Sequence, residues 1–162
     1  MISNMNLNCR ILRISLMTMI VISFGPLFAH KGKASFVLEE FSKLTDQIDL
    51  LKDGAVATDA LEVLLEKGGE KEKDSEIFKK ALPITRELGK TTDSKTKQEL
   101  YGELVILFER VIGYHDRSGA ALYHCPKTGK QWITNSEIVK NPFDRKNTSC
   151  IRKKENRDSP SK

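Results

Sequence analysis

Apolar residues recur every three or four positions through much of this chain, which is the spacing of an amphipathic helix. Between residues 36 and 52 one stripe carries five apolar residues: Val37, Phe41, Leu44, Ile48 and Leu51. The pair Asp53-Gly54 then ends the pattern. The sequence therefore predicts a first helix over 36–52 with this whole stripe buried.

Three further segments show the same period. A short one follows Thr58 or Asp59, a third begins at Ser75 and closes at Gly89, and the longest runs from Asp93 or Ser94 to near Gly113. Helices joined by short connections pack antiparallel, so we expect a mainly α protein built as an up-and-down four-helix bundle. The apolar positions expected to be buried in these helices are Ala60, Leu61, Leu64, Leu65, Ile77, Phe78, Ala81, Ile84, Leu88, Leu100, Leu104, Leu107, Phe108, Val111 and Ile112.

Beyond Gly119 the pattern changes to that of a small β-hairpin. Residues 120–125 and 131–134 are rich in strand formers, and Pro126-Lys127-Thr128-Gly129-Lys130 supplies turn residues between them. A single helical turn is expected over 136–139, followed by an extended step at Asn141-Pro142. We expect three apolar side chains to bury the hairpin against the fourth helix: Trp132, Ile138 and Phe143.

The N-terminus has the order of a signal peptide. Arg10 and Arg13 precede an apolar run over 14–28, and small Ala29 follows that run. The run is shorter than the roughly 20 residues that span a bilayer, so no stable membrane span is expected after cleavage. The predicted organisation is a signal peptide over 1–29, one domain over 30–151 and a disordered basic tail over 152–162.

Cleavage after Ala29 would leave two cysteines, Cys125 and Cys150. An even number of thiols in an exported chain favours one structural disulfide over metal ligation. Such a bond would close the hairpin and loop over 120–151 into a subdomain of the bundle. It would also fix the compartment as the periplasm or the extracellular space.

The charge is divided along the chain. The whole sequence carries a formal +5 at pH 7, but residues 34–115 hold 17 acids and 12 bases, whereas residues 116–162 hold 11 bases and 5 acids. The C-terminal bases lack interleaved aromatic residues, so nucleic-acid binding is not expected. No phosphate-binding loop, nucleophile elbow or metalloprotease motif interrupts the helices, so we expect a protein that is not an enzyme.

The last third of the chain resembles an uncharacterised exported bacterial domain that also occurs fused to periplasmic adaptor subunits of copper and silver efflux pumps. The residues that carry the resemblance are Phe108-Glu109, Tyr123-His124-Cys125-Pro126, Trp132-Ile133, Glu137-Ile138, Asn141-Pro142-Phe143 and Cys150. In that family thioether and thiolate groups form a soft ligand set suited to Cu(I). The resemblance therefore implies an accessory role in heavy-metal handling, next to an efflux component.

This chain departs from the family pattern at the ligands. Lys127 stands where the family has a methionine, and no methionine occurs after Met19. Copper or zinc could then be held only by reduced thiols together with histidines. The remaining candidate ligands are Cys125, Cys150, His124 and His115.

Two functions stay open. One is an exported, non-enzymatic accessory protein that handles copper, silver or zinc through a partly degenerate site. The other is a disulfide-stapled structural or protein-interaction module of an envelope complex, with no metal. In both, the expected structural residues of the C-terminal segment are Trp132, Asn141, Pro142 and Phe143.

Overall fold

A computed structural model describes residues 32–67, 74–113 and 116–154. Within these ranges it confirms a mainly α protein with four helices, a small antiparallel sheet and a Cys125–Cys150 disulfide. The predicted signal peptide over 1–29 lies outside the described residues. The elements are α1 Lys33–Gln47, α2 Asp59–Glu66, α3 Ser75–Lys90, α4 Ser94–Glu109, β1 Ala121–His124, β2 Gln131–Thr134 and β3 Arg152–Lys153.

The first helix ends five residues earlier than the apolar period predicted. Ile48 already has an extended backbone, with ψ of 136°, and the carboxylate of Asp49 accepts a hydrogen bond from the Leu51 N–H at 3.1 Å. This turn changes which leucine faces the core. Leu50 is fully buried, whereas Leu51 is 57% exposed, so the prediction of a buried Leu51 was wrong.

Gly89 does not terminate the third helix as predicted, because α3 continues to Lys90. A side chain at Gly89 would collide with the hydroxyl of Thr58, the residue that precedes α2. The absence of a side chain at Gly89 therefore allows α3 to pack closely against the start of α2. The predicted start of the fourth helix is confirmed, since the carboxylate of Asp93 accepts from the Thr96 N–H at 2.7 Å and caps α4.

Most of the predicted apolar positions lie in one core. Its centre is aromatic: the ring centroids of Phe41 and Phe108 lie 4.8 Å apart, edge to face, and those of Phe41 and Tyr101 lie 5.3 Å apart. Contacts of this kind add to the stabilisation from burial. Ala60 is the exception, being exposed, and five positions are only partly buried: Leu64, Ile77, Ile84, Leu107 and Ile112.

The predicted hairpin is confirmed. β1 pairs antiparallel with β2, so that Tyr123 lies opposite Trp132 and Leu122 lies opposite Ile133. A third strand, which the sequence did not predict, pairs with the other edge of β1 and gives the order β2-β1-β3. Arg152 and Lys153 therefore belong to the sheet and not to a disordered tail.

The connection after β2 differs from the prediction in two ways. Residues 135–140 contain no helical turn, and Ile138 is 74% exposed. The hydroxyl of Ser136 instead donates to the Ile138 carbonyl at 3.2 Å, which holds a tight bend. Trp132 and Phe143 are buried as predicted, so only Ile138 fails to help cover the hairpin.

Candidate functional site

The disulfide joins Cys125, the residue directly after β1, to Cys150, which lies two residues before β3. The Cα atoms of Cys125 and Cys150 lie 4.9 Å apart, and both residues are buried. The backbone of Cys125 also closes the hairpin turn, because its N–H donates to the Lys130 carbonyl at 3.0 Å and its carbonyl accepts from Gly129 at 2.9 Å. Gly129 has a φ of +69°, a conformation that side chains disfavour.

Asn141 connects the disulfide to the helical core. Its side-chain amide lies 3.8 Å from the Cys150 sulfur, and its side-chain oxygen accepts from the Phe143 N–H at 3.0 Å. The next carbonyl, that of Pro142, accepts from the Leu50 N–H at 3.1 Å. The ring of Phe143 then packs edge to face on Tyr101 of α4, with centroids 5.8 Å apart.

Arg145 is the principal side chain that sequence analysis missed. Its Nη2 atom donates to the carbonyl oxygens of Asp46 at 2.8 Å and Ile48 at 2.6 Å, at the C-terminal end of α1. A guanidinium there satisfies carbonyls that the helix leaves free, and it interacts favourably with the helix dipole. Nothing in the sequence distinguishes Arg145 from the other scattered bases of this region.

A second contact ties the sheet to the same end of α1. The hydroxyl of Thr134 donates to the Asp46 carboxylate at 3.0 Å. Nearby, burial would raise the pKa of Asp49, but hydrogen bonds from Leu51 and Lys52 outweigh it and lower that pKa below its usual value. The end of α1 is thus an anchor for the whole C-terminal segment.

The three candidate metal ligands that the structure describes, Cys125, Cys150 and His124, do not form a ligand set in this state. The sulfurs of Cys125 and Cys150 are bonded to each other, so neither offers a thiolate. His115 lies outside the described residues. Within the described ranges, no group of three or more His, Cys, Asp or Glu side chains is placed to hold a metal ion. The oxidised segment therefore does not fit copper or zinc.

His124 is nevertheless unusual. Its Nδ1 atom is buried and has no hydrogen-bond partner among the described residues, and the same is true of the indole N–H of Trp132. In the sheet His124 lies between Gln131 of β2 and Arg152 of β3. Because a buried polar atom without a partner is costly, these two positions are candidates for an additional interaction.

A cavity of about 300 Å³ lies on the helical body, and neither cysteine of the disulfide lines it. It is lined by the end of α1, the loop over 52–57 and Lys97 of α4. Lys97 is only 3% exposed, and its ammonium donates to the carbonyl oxygens of Lys52 and Gly54, the latter at 3.1 Å. These bonds fix the loop that follows α1, so Lys97 has a structural role here.

The chain matches no protein-family model, no curated protein and no solved structure. No helix in the described ranges has the length and apolarity that a bilayer crossing requires.

Proposed function

We propose that this protein is an exported, non-enzymatic interaction module in which the Cys125–Cys150 disulfide closes the C-terminal sheet segment on itself, and hydrogen bonds of Arg145 and Thr134 hold that segment on a helical body. The disulfide is the observation that carries the proposal. Disulfides persist in oxidising compartments, which supports the periplasm or the extracellular space as the location. The signal-peptide pattern over residues 1–29 supports the same location.

The arrangement of the helices supports a rigid scaffold. We propose that α1 to α4 run alternately up and down as a bundle, because only three residues, 91–93, separate α3 from α4. The buried Tyr101 hydroxyl lies 2.7 Å from the Thr45 hydroxyl and joins α4 to α1. Such a body would present the sheet and its connecting loops to a larger envelope complex without rearrangement.

To test the proposal, the tagged full chain is expressed, and envelope complexes that contain it are isolated after mild cross-linking. We expect a mature chain that begins near residue 30, one intramolecular disulfide and a reproducible partner. The C125S/C150S variant should lose that partner, because its sheet segment is no longer closed by a covalent bond. A chain that keeps residues 1–29 in the cytosol, with both thiols free, would contradict the proposal.

A metal-handling accessory role is the second candidate, and the unpartnered Nδ1 of His124 is the observation that favours it. Reduction would free two thiolates, one of them on the residue directly after His124. Titration calorimetry of the reduced mature protein with Cu(I) and Zn(II) tests this role. Binding tighter than micromolar that is lost in H124A supports it, whereas equal weak binding by wild type and H124A excludes it.

A further inference from the structure

The disulfide brings two basic segments to the same end of the sheet. Lys127 and Lys130 lie in the hairpin turn after Cys125, and Arg152 and Lys153 follow Cys150 as strand β3. All four residues are exposed. The half-cystine Cα atoms are 4.9 Å apart, and Lys127 and Arg152 are each two residues from one of them. Chain geometry therefore keeps the Cα atoms of Lys127 and Arg152 within about 20 Å.

The positive charge of this surface is not neutralised within the part of the chain that the structure describes. None of the four basic side chains forms an ion pair with a described carboxylate. Arg152 donates instead to the carbonyls of Ser149 and Ile151, at 3.3 and 2.8 Å. The nearest basic neighbour, Lys154, is already paired with Glu109 at 3.0 Å. Arg152 and Lys153 are consecutive strand residues, so their side chains leave opposite faces of the sheet, and the four charges lie around its edge and hairpin end.

The surface lacks the apolar anchors that specific protein interfaces use. Among the described residues the exposed large apolar side chains are Phe36, Leu51, Val63, Ile106 and Ile138, and none of them belongs to the turn or to β3. The ring of Phe143 is buried, with the Lys130 ammonium 5.2 Å from its centroid. The ring of Tyr123, opposite Lys153, is partly buried and stacked on that of Trp132. Neither ring is fully exposed for base stacking, which single-stranded nucleic acids need.

We propose that this disulfide-built surface, formed by Lys127, Lys130, Arg152 and Lys153, binds the phosphate headgroups of an anionic lipid surface. Clustered exposed bases near a membrane gain free energy from each charge, independently of precise geometry. An anionic surface repels the acidic helical body. The division of charge along the chain therefore also orients the protein, with the sheet end toward the lipid.

The test is co-sedimentation of the oxidised protein with vesicles of phosphatidylcholine alone and with 30% phosphatidylglycerol. We expect binding only to the anionic vesicles, decreasing as salt rises because the charges are screened. Each removed base should weaken partitioning about fivefold, so K127Q/K130Q/R152Q/K153Q should abolish it. The matched control K67Q/K80Q/K90Q/K95Q removes the same charge from exposed positions of the helical body and should bind as wild type.

Equal loss in both variants would overturn the proposal, since net charge alone would then explain binding. Equal binding to both vesicle types would also overturn it. Competition by millimolar inorganic phosphate would identify a small-anion site, and retention of single-stranded DNA with no vesicle binding would identify a nucleic-acid surface; either result overturns the lipid assignment. The assay needs no protein partner, so its failure leaves the proposed interaction function untouched, and circular dichroism confirms that the variants are folded.

Discussion

The guanidinium of Arg145 lies 2.6 Å from the carbonyl oxygen of Ile48, a residue 97 positions earlier in the chain. This bond joins the loop before Cys150 to the residue at which α1 stops being helical. Together with the Thr134–Asp46 hydrogen bond it makes the end of α1 the point where sheet and helices are held together. The disulfide closes the segment on itself, whereas Arg145 fastens it to the core.

Arg145→Ala should destabilise the protein by about 1.5–3 kcal/mol, the range for hydrogen bonds that involve a charged group. Chemical denaturation followed by circular dichroism measures the loss. The control is Lys146→Ala, which removes a neighbouring exposed base and should change the free energy of unfolding by less than about 0.5 kcal/mol. Equal effects of the two substitutions would show that Arg145 is not an anchor.

Leu50 and Leu51 provide a matched pair for the end of the first helix. Leu50→Ala should cost about 2–5 kcal/mol, because it opens a cavity in the core. Leu51→Ala should cost less than about 0.5 kcal/mol, because that side chain is 57% exposed. The order would reverse if the helix continued to residue 52 as the apolar period indicates. Thermal or urea unfolding of the two variants decides between these outcomes.

Removing the disulfide should lower stability by about 3.5 kcal/mol on the chain-entropy account of a loop of this length; the two cysteines are 25 residues apart. Urea unfolding is measured for the C125S/C150S variant and for the wild type in its oxidised and reduced forms. The reduced wild type should have the same urea midpoint as the variant. A variant as stable as the oxidised protein would show that the non-covalent contacts of the segment are sufficient and that the disulfide adds no measurable stability.

The sequence was sufficient for the elements that depend on local pattern. Helical periodicity placed the four helices, Asp93 marked the start of α4, and turn residues around Gly129 marked the hairpin. These features are encoded within a few residues of where they occur. The two cysteines could be paired by counting, because only two remain after the predicted cleavage.

Features that depend on contacts between distant residues could not be predicted. The early end of α1 reflects Asp49 and the long-range bonds of Arg145, which leave no periodic signature. β3 is only two residues long, and it pairs with the free edge of β1 two residues after the disulfide-bonded Cys150. The exposure of Ile138 follows from the bend at Ser136. In each case the residue type alone is compatible with both a buried and an exposed position, and contacts with distant residues determine which one it occupies.

Ionisation of Tyr101 should make the free energy of unfolding fall at alkaline pH. Its hydroxyl is buried, and burial raises its pKa well above the usual value, against smaller opposing effects of hydrogen bonds with Thr45 and Ile133. The Thr45 hydroxyl donates to the Phe41 carbonyl at 2.9 Å, and it lies 2.7 Å from the Tyr101 hydroxyl. Ionisation of Tyr101 would place a charge in the aromatic core.

Because the folded pKa is raised, the stabilisation from Tyr101 is complete below the unfolded pKa of about 10 and is lost as the pH rises above it. Of the three tyrosines in the sequence, Tyr101 should therefore ionise only when the protein unfolds. Tyrosinate absorbance measures the ionisation, and circular dichroism measures the unfolding in the same titration. Tyr101→Phe should lower stability at neutral pH by about 1 kcal/mol, yet make it less dependent on pH above about pH 10. Reversible ionisation of all three tyrosines near pH 10 in folded protein would contradict this assignment.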